Sequence, residues 1–175
     1  ANVVGIPTTQ LEMPEKFKGL PEVGQSMNPD LEVVASLNPD VFVMDNAFKD
    51  SVEKSLKEYD FNTFFLKTNT YTDYIKSIEE LGKTIDKEEE ATTLINELKN
   101  IEKEVKSKKG DKAPTVAIIF GSGENFMLAT ETSYLGDLVK TVGGKNIASK
   151  LDKNVENGYV QLSLEYILEQ NPDYI

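Results

Sequence analysis

Three side chains stand out for the chemistry they could do: Met27, Glu32 and Glu165. Met27 directly precedes an Asn-Pro-Asp triplet, and its thioether is a soft, neutral ligand for a metal centre, although a loop methionine more often packs against apolar neighbours. Glu32 and Glu165 each follow the first residue of a predicted helix, where the helix dipole favours a carboxylate by roughly a few tenths of a kcal/mol. For either glutamate considered alone, this dipole effect is enough to explain why the residue is acidic.

The two glutamates belong to similar segments, residues 31–42 (LEVVASLNPDVF) and 164–175 (LEYILEQNPDYI). Both begin with Leu-Glu, have a β-branched residue at the fourth position and continue into Asn-Pro-Asp. A helix, such a turn and a strand form a common connection, because proline stops a helix and aspartate supports a turn. The similarity is therefore either a coincidence of turn chemistry or the mark of two similar α/β lobes.

Several residue types are missing from the chain. Its 175 residues include no cysteine and no histidine, and all 19 cations are lysines. Disulfides, thiolate zinc sites, histidine-based triads and imidazole ligation by this chain are therefore excluded. The absence of arginine removes the planar group that usually binds carboxylates and phosphates in pairs. Acidic residues are plentiful, but their spacing specifies no catalytic pair, so we expect no enzyme activity.

Charge and hydropathy narrow the choice of partners. The chain has 30 acidic residues and a net charge of -11, which argues against nucleic acid and anionic membrane surfaces, because phosphate binding needs clustered cations. No apolar run approaches the roughly 20 residues of a membrane span. The lysine-rich stretch KSKKGDKAP is typical of the solvated end of a long helix.

Strand and helix patterns alternate through the first half of the chain. Strands are predicted over ANVVGI, DVFVMD and NTFFLK, and helices are predicted after the N-cap Asp30, over 50–59 and over YTDYIKSIEELGKTI. This alternation predicts a parallel α/β layer.

A longer helix is predicted from Asp86, which with Glu89 would form a capping box, to about Lys106. About 21 residues would give it a length of roughly 30 Å. Beyond it we predict a strand over TVAIIF, a tight turn at GSGENF, a helix over 132–142 and a last helix within LSLEYILEQ.

Three ordered motifs carry a family resemblance. The stretches VGQSMNPD, FMLATETSYLGDLVKTVGGKNI and SLEYILEQNPDYI resemble the substrate-binding proteins of ABC importers for iron siderophores, cobalamin and haem. The first stretch is most similar to the haem-binding surface lipoproteins of Gram-positive iron-acquisition systems.

The resemblance implies an α/β fold with two parallel-sheet lobes, joined by a long rigid helix, and a ligand in the cleft between them. The expected divisions are 1–85 for the N-terminal lobe, 86–108 for the lobe-spanning helix and 113–175 for the first part of the C-terminal lobe. We also expect the chain to be part of a larger protein, with the family's first strand and helix upstream and most of the C-terminal lobe downstream.

The resemblance also assigns roles to residues. Met27 would be one axial ligand of haem iron, and the partner histidine would lie in the C-terminal lobe outside this chain. Glu32 and Glu165 would dock the protein on arginines of the membrane permease. The loops PTTQ, GQSMNPD, MDNAF and FGSGENF would face the cleft, and their candidate ligand-binding residues are Thr8, Thr9, Met27, Asn46 and Ser122.

The expected function is an extracellular protein, lipid-anchored to the cell membrane in its full-length form, that carries haem as a transported ligand and uses no catalytic cofactor. A ferric siderophore or a corrinoid is the alternative cargo, and a self-associating structural module or an α/β enzyme is a more distant alternative. Met44, Phe48 and Phe126 are predicted walls of the haem pocket, and Tyr134 is expected to pack rather than to bind iron.

Overall fold

The computed structural model describes residues 1–108, 110, 112–122, 125–151 and 158–175, without the side chain of Ser122. The strands are β1 (Gly24–Gln25), β2 (Asn28–Pro29), β3 (Phe42–Asp45), β4 (Thr63–Leu66), β5 (Thr115–Val116), β6 (Ile119–Ser122), β7 (Asn125–Ala129), β8 (Lys145–Asn146) and β9 (Tyr159–Gln161). The helices are α1 (Leu31–Ser36), α2 (Lys49–Tyr59), α3 (Tyr71–Thr84), α4 (Glu88–Ser107), α5 (Tyr134–Thr141) and α6 (Leu164–Gln170).

The N-terminal core forms between a parallel strand pair and one helix. Strand β3 pairs in parallel with β4, and α2 lies between them in the chain, which is the βαβ connection that the alternating pattern predicts. Met44 of β3 is buried with Val52 and Leu56 of α2. Leu56 lies four residues after Val52, so both side chains occupy one face of the helix.

The predicted strand at ANVVGI is wrong for most of its length. Within residues 1–6, only Ile6 forms a bridge, in parallel with Glu22, and its backbone N–H donates to the Pro21 carbonyl at 2.9 Å. Val3 and Val4 are exposed. Apolar composition favours a strand, but a strand also needs a neighbouring backbone to pair with.

Helices α3 and α4 pack against each other closely at the turn that joins them. A Cβ added to Gly82 of α3 would lie 2.5 Å from the Ala91 Cβ of α4, so only glycine allows this approach. The predicted capping box at Asp86 is wrong: Asp86 has a φ of 53°, and Lys87 is the N-cap, without a side-chain hydrogen bond to the helix.

The C-terminal part contains two small sheets. Strands β5 and β8 pair in parallel, whereas β6, β7 and β9 form an antiparallel sheet. The predicted single strand TVAIIF is therefore wrong, because its two ends belong to different sheets. The C-terminal core is built from buried residues of β7, of α6, of the link between β5 and β6 and of the 3-10 helix after β8, namely Ala117, Leu128, Ile147, Ala148 and Ile167.

The two similar sequence segments adopt the same conformation. Val34 and Ile167, the fourth residues of the segments, are both buried. Helices α1 and α6 both end at an asparagine in the left-handed region, Asn38 with φ 45° and Asn171 with φ 44°. Because sequence and backbone conformation agree over helix and turn, and Tyr174 then forms a parallel bridge with Val116, the two segments are equivalent units of two α/β lobes. The predicted fold class is confirmed in this respect.

The long helix between the lobes is present as α4, with 20 residues. Its bounds differ by one or two residues from the predicted helix, and the division of the chain at 85, 108 and 113 stays a prediction. Among the described residues, no helix combines the length and apolar character that crossing a bilayer requires.

Candidate functional site

Met27 lies in the turn of a short β-hairpin. Strands β1 and β2 pair antiparallel, Gln25 opposite Asn28, so Ser26 and Met27 form a two-residue turn between them. Met27 is 64% exposed, and burying a methionine is worth roughly 1.5 to 3 kcal/mol. The hairpin therefore presents a thioether to solvent where a ligand could cover it.

Gly24 makes this hairpin possible. It has a φ of 85°, and an added Cβ would lie 2.8 Å from the Asp30 backbone nitrogen and 3.1 Å from the Asn28 oxygen. The Asp30 N–H also donates to the Val23 carbonyl at 2.8 Å. The chain thus folds back on itself closely enough that no side chain fits at position 24.

Thr8 lies beside the hairpin, and Thr9 follows it in the same loop. The Thr8 N–H donates to the Gly24 carbonyl at 2.8 Å, so the structure brings the predicted loops PTTQ and GQSMNPD together. The Thr8 hydroxyl donates to Glu22 Oε2 at 2.8 Å, whereas Thr9 Oγ1 accepts the Leu11 N–H at 3.1 Å. An accepting hydroxyl still has its own hydrogen to donate, so Thr9 is better placed than Thr8 to bind an anionic group.

A polar cluster follows β3 and β4 at their carboxyl ends. Asp45 Oδ1 accepts the Ala47 N–H and Asp45 Oδ2 accepts the Thr68 hydroxyl, each at 2.8 Å. Asn46 is half-buried in the one-turn 3-10 helix that starts there. Ligands of open α/β sheets bind at the carboxyl ends of the strands, so Thr68 belongs to the candidate site although sequence reasoning missed it. The signal was its position directly after the predicted strand NTFFLK.

The C-terminal side of the candidate site is the β6–β7 hairpin. Ser122 pairs with Asn125, while the Ser122 side chain and residues 123 and 124, on which the predicted tight turn falls, lie outside the described part of the structure. A Cβ on Gly121 would lie 2.1 Å from the Asn125 oxygen. The pairing of the strands on either side of GSGENF is thus consistent with the predicted tight turn.

One face of this antiparallel sheet is apolar and open. Phe120 and Met127 are directly opposite each other and exposed, and the Phe120 ring lies 5.2 Å from that of Tyr159. Burial raises the pKa of the Tyr159 hydroxyl. Sequence reasoning missed this aromatic face because it predicted one strand over TVAIIF and no pairing partner for it.

The three predicted wall residues have different surroundings. Met44 is 6% exposed and packs in the N-terminal core, and it also lines the cavity described below, so its role as a wall of a ligand pocket stays a prediction. Phe48 packs against the same core. Phe126 is 45% exposed on β7. Tyr134 packs edge-on against Tyr74, with 6.4 Å between ring centroids, as the sequence analysis expected.

Glu32 and Glu165 occupy the second positions of α1 and α6 and are both exposed. Each helix is capped by the side chain of the residue before it. Asp30 accepts the backbone N–H groups of Glu32 and Val33, and Ser163 accepts that of Tyr166 at 3.2 Å. The caps hold each glutamate at the start of a well-defined helix, one in each lobe.

The structure also has a cavity of about 700 Å³ in the N-terminal lobe. It lies between residues 1–5 and β3, and its lining includes Val23, Leu37 and Ile85. Met27, Thr9 and Asn46 do not line it, but the hairpin residues Gly24, Gln25, Ser26 and Pro29 and the cluster residue Asp45 do, so the cavity adjoins the candidate site. No cluster of three or more acidic residues able to hold a metal ion is found in the described ranges.

Comparison with known proteins defines the family. The family model described as a periplasmic binding protein matches residues 1–175. The high-affinity heme uptake system protein IsdE of Staphylococcus aureus is 31% identical over 175 residues, which cover 99% of this chain and 59% of that protein. This chain therefore spans about three fifths of the length of the curated relative.

Solved structures agree with this assignment. S. aureus IsdE complexed with heme superposes with a TM-score of 0.83, covering 99% of this chain and 66% of that one. An ABC transporter substrate-binding protein from Listeria monocytogenes is 32% identical with a TM-score of 0.82, covering 97% of this chain and 65% of that one.

A more distant structure shares the fold alone. The triscatecholate siderophore binding protein FeuA of Bacillus subtilis is 22% identical with a TM-score of 0.80, covering 97% of this chain and 61% of that one. The fold class and the family resemblance expected from the motifs are thereby confirmed. Because the family model matches every residue from 1 to 175, the chain belongs to the periplasmic binding protein family.

Proposed function

We propose that this protein is the extracellular, lipid-anchored substrate-binding component of an ABC importer, and that it binds haem in the cleft between its lobes and delivers it to the permease. The observation that carries this proposal is the exposed Met27 thioether in the β1–β2 turn. It is supported by the 31% identity to a haem uptake protein whose haem-bound structure has the same fold.

Met27 would supply one axial ligand to the haem iron. A thioether is neutral and soft, which suits haem iron, and the hairpin presents it on the surface. The chain contains no histidine, so an imidazole on the other axial position would come from outside residues 1–175.

The haem propionates need hydrogen-bond donors that are not already engaged. Thr9 fits this requirement, because its oxygen accepts the Leu11 N–H and its hydrogen remains for a ligand. Thr8 would first have to release Glu22. Asn46 offers an amide donor on the loop after β3, and Ser122 is proposed on the C-terminal side. The open face of Phe120 and Met127 would contact the apolar part of the porphyrin.

The first experiment is a haemin titration followed by Soret absorbance, on the 175-residue chain and on the longest native form of the protein. We expect Met27→Ala to weaken binding by about tenfold or more and to shift the Soret band, since even the outer-shell partners of a metal ligand are worth about tenfold to a hundredfold. Met13→Ala is the matched control, since Met13 is a half-buried methionine of a neighbouring loop.

Binding that is equally tight with and without Met27 would remove the ligation. If the native form binds no haem, a titration with a ferric triscatecholate siderophore tests the alternative cargo. The lack of arginine disfavours that cargo over this stretch, because anionic chelates are usually held by guanidinium groups.

Glu32 and Glu165 would each pair with a cationic patch of the permease. Their equivalent positions on α1 and α6, one in each lobe, allow the permease to hold both lobes at once. The excess of acidic residues would favour approach to a basic docking face.

Charge reversal tests the docking proposal separately from ligand binding. We expect Glu32→Lys with Glu165→Lys to abolish haem uptake by cells while the haem affinity of the purified protein stays unchanged, because the two glutamates are outside the candidate ligand site. Glu58→Lys with Glu97→Lys, two exposed reversals on α2 and α4, makes the same change in net charge and is the control. Normal uptake by the double variant contradicts the docking assignment.

A further inference from the structure

A hydrogen bond joins the two lobes at the start of α3. Thr70 caps this helix, and its hydroxyl oxygen accepts the Asp73 N–H at 3.0 Å. The N–H of Tyr71, the first residue of the helix, cannot be satisfied within the helix. It donates instead to Asp137 Oδ2 of α5 at 2.9 Å, which is 66 residues further along the chain.

A second contact runs parallel to this bond. The rings of Tyr74 and Tyr134 meet edge to face at 6.4 Å. Tyr74 follows Tyr71 by three residues on α3, and Asp137 follows Tyr134 by three residues on α5, so each pair lies on one face of its helix. The two contacts therefore fix both the distance and the relative rotation of the two helices.

The same place also adjoins the long helix α4. The Tyr71 hydroxyl is buried, and its burial, together with the nearby Glu102 carboxylate, raises the pKa of that hydroxyl. Glu102 is itself paired with Lys106 at 2.5 Å. Elements of the N-terminal lobe, the connecting helix and the C-terminal lobe thus meet at one point, which we call the α3–α5 junction (Tyr71, Tyr74, Tyr134 and Asp137).

We propose that Asp137 is a positioning residue that fixes the C-terminal lobe on helix α3 and so determines how far the interlobe cleft is open. A carboxylate at a helix N-terminus gains from the helix dipole as well as from the charge-assisted bond. Because Asp137 belongs to the other lobe, this interaction restrains lobe movement, whereas an ordinary N-cap restrains only its own helix. The inference depends on the geometry of the junction and not on which ligand the cleft holds.

Spin labels on the full 175-residue chain test the proposal. The chain has no cysteine, so Lys57→Cys on α2 and Lys145→Cys on β8 provide two unique labelling sites, one in each lobe and both exposed. Electron spin distance measurements should give a narrow distribution for the parent. Asp137→Ala should broaden it and lengthen its mean. Asp50→Ala, which removes the same charge from the first turn of α2, should leave it unchanged.

Amide hydrogen exchange provides a second readout. In Asp137→Ala the Tyr71 amide should exchange roughly tenfold faster or more, as expected for loss of a hydrogen bond to a charged group. In Asp137→Asn an amide oxygen can still accept, so the increase should be smaller and the distance distribution intermediate. Circular dichroism establishes that each variant is folded.

An unchanged distance distribution in folded Asp137→Ala overturns the proposal, even if the Tyr71 amide exchanges faster, because Asp137 would then cap α3 without holding the lobe. If Asp137→Ala fails to fold, Asp137→Asn decides. Parental distances and parental Tyr71 exchange in that variant also overturn the proposal.

Discussion

At the scale of single residues, the candidate site depends on the backbone around Met27 as much as on its thioether. Gly24 adopts a φ of 85°, and its carbonyl accepts the Thr8 N–H while its Cα faces the Asp30 backbone. A side chain at this position would push the hairpin away from both neighbours. Glycine at position 24 is therefore required for the turn that presents Met27.

Replacement of Gly24 by alanine tests this requirement. Both Gly24 and Gly19 have positive φ values, 85° and 81°, but nothing lies within 4 Å of a Cβ at Gly19. Gly19→Ala should cost about 1 to 2 kcal/mol for the left-handed conformation alone. Gly24→Ala should cost about 1 to 3 kcal/mol more, because its Cβ also collides with backbone atoms. Urea unfolding measures both, and equal losses would show that the hairpin adjusts without strain.

At the scale of elements, a helix followed by an Asn-Pro-Asp turn is the unit that both lobes share. In each copy the helix ends at a left-handed asparagine, proline prevents continuation, and aspartate follows. In the second copy the aspartate also contacts a residue outside the unit. Asp173 Oδ2 accepts the Thr115 N–H at 2.7 Å and its hydroxyl at 2.8 Å, which ties the end of the unit to β5.

This tie predicts an acid-sensitive contribution to stability. The hydrogen bond from the Thr115 backbone, then that from its hydroxyl, lowers the pKa of Asp173 below its usual 3.8. The folded state therefore binds the proton more weakly than the unfolded state. The stabilisation is present above about pH 4 and is lost as the pH falls through the lowered pKa.

Asp173→Asn should therefore be less stable than the parent near pH 7 and should lose less stability between pH 5 and pH 2, since the amide does not titrate. Thermal unfolding over this pH range measures the difference. Asp40→Asn, the equivalent position of the first copy, is the matched control. Parallel pH profiles for parent and Asp173→Asn would contradict the assignment.

At the scale of the whole molecule, the two lobes are connected by the chain through α4 and by direct contacts at the α3–α5 junction. The Tyr71 hydroxyl is buried there, and no hydrogen bond of ordinary geometry satisfies it in the described part of the chain, although the Glu102 carboxylate is close enough to affect its pKa. A buried hydroxyl without a partner opposes folding. The Tyr71 hydroxyl thus lowers the free energy of unfolding at the point where the lobes meet.

Tyr71→Phe removes this hydroxyl and keeps the ring. We expect a gain of about 1 kcal/mol in the free energy of unfolding, because an unsatisfied group is lost and the backbone bond to Asp137 is unaffected. Urea unfolding measures the gain, and Tyr74→Phe provides a control at the neighbouring tyrosine. A loss of stability in Tyr71→Phe would show that the hydroxyl donates to Glu102 in solution.

The sequence by itself determined the features that depend on local interactions. Helix α1 begins directly after its predicted cap Asp30, and α2 begins within one residue of its predicted start. Strands β3 and β4 lie within apolar runs that are bounded by turns. The repeat, and with it the two-lobed family fold, was readable because helix caps and Asn-Pro-Asp turns require particular residues at particular positions. Met27 could be placed in a loop for the same reason.

The tertiary structure was needed to decide the conformation wherever local signals compete, or wherever a strand pairs with a segment far along the chain. Asp86 was predicted as a helix N-cap, but α3 ends with it in the left-handed conformation and Lys87 N–H donates to Gly82 O at 2.7 Å. One backbone cannot serve both roles. The stretch TVAIIF belongs to two strands and not one, because β5 pairs with β8 whereas β6 pairs with β7. Three other contacts also join residues that no sequence pattern connects. They are the contact of Thr8 with the Met27 hairpin, the Thr68 cluster and the hydrogen bond from Tyr71 to Asp137, and folding alone brings these residues together.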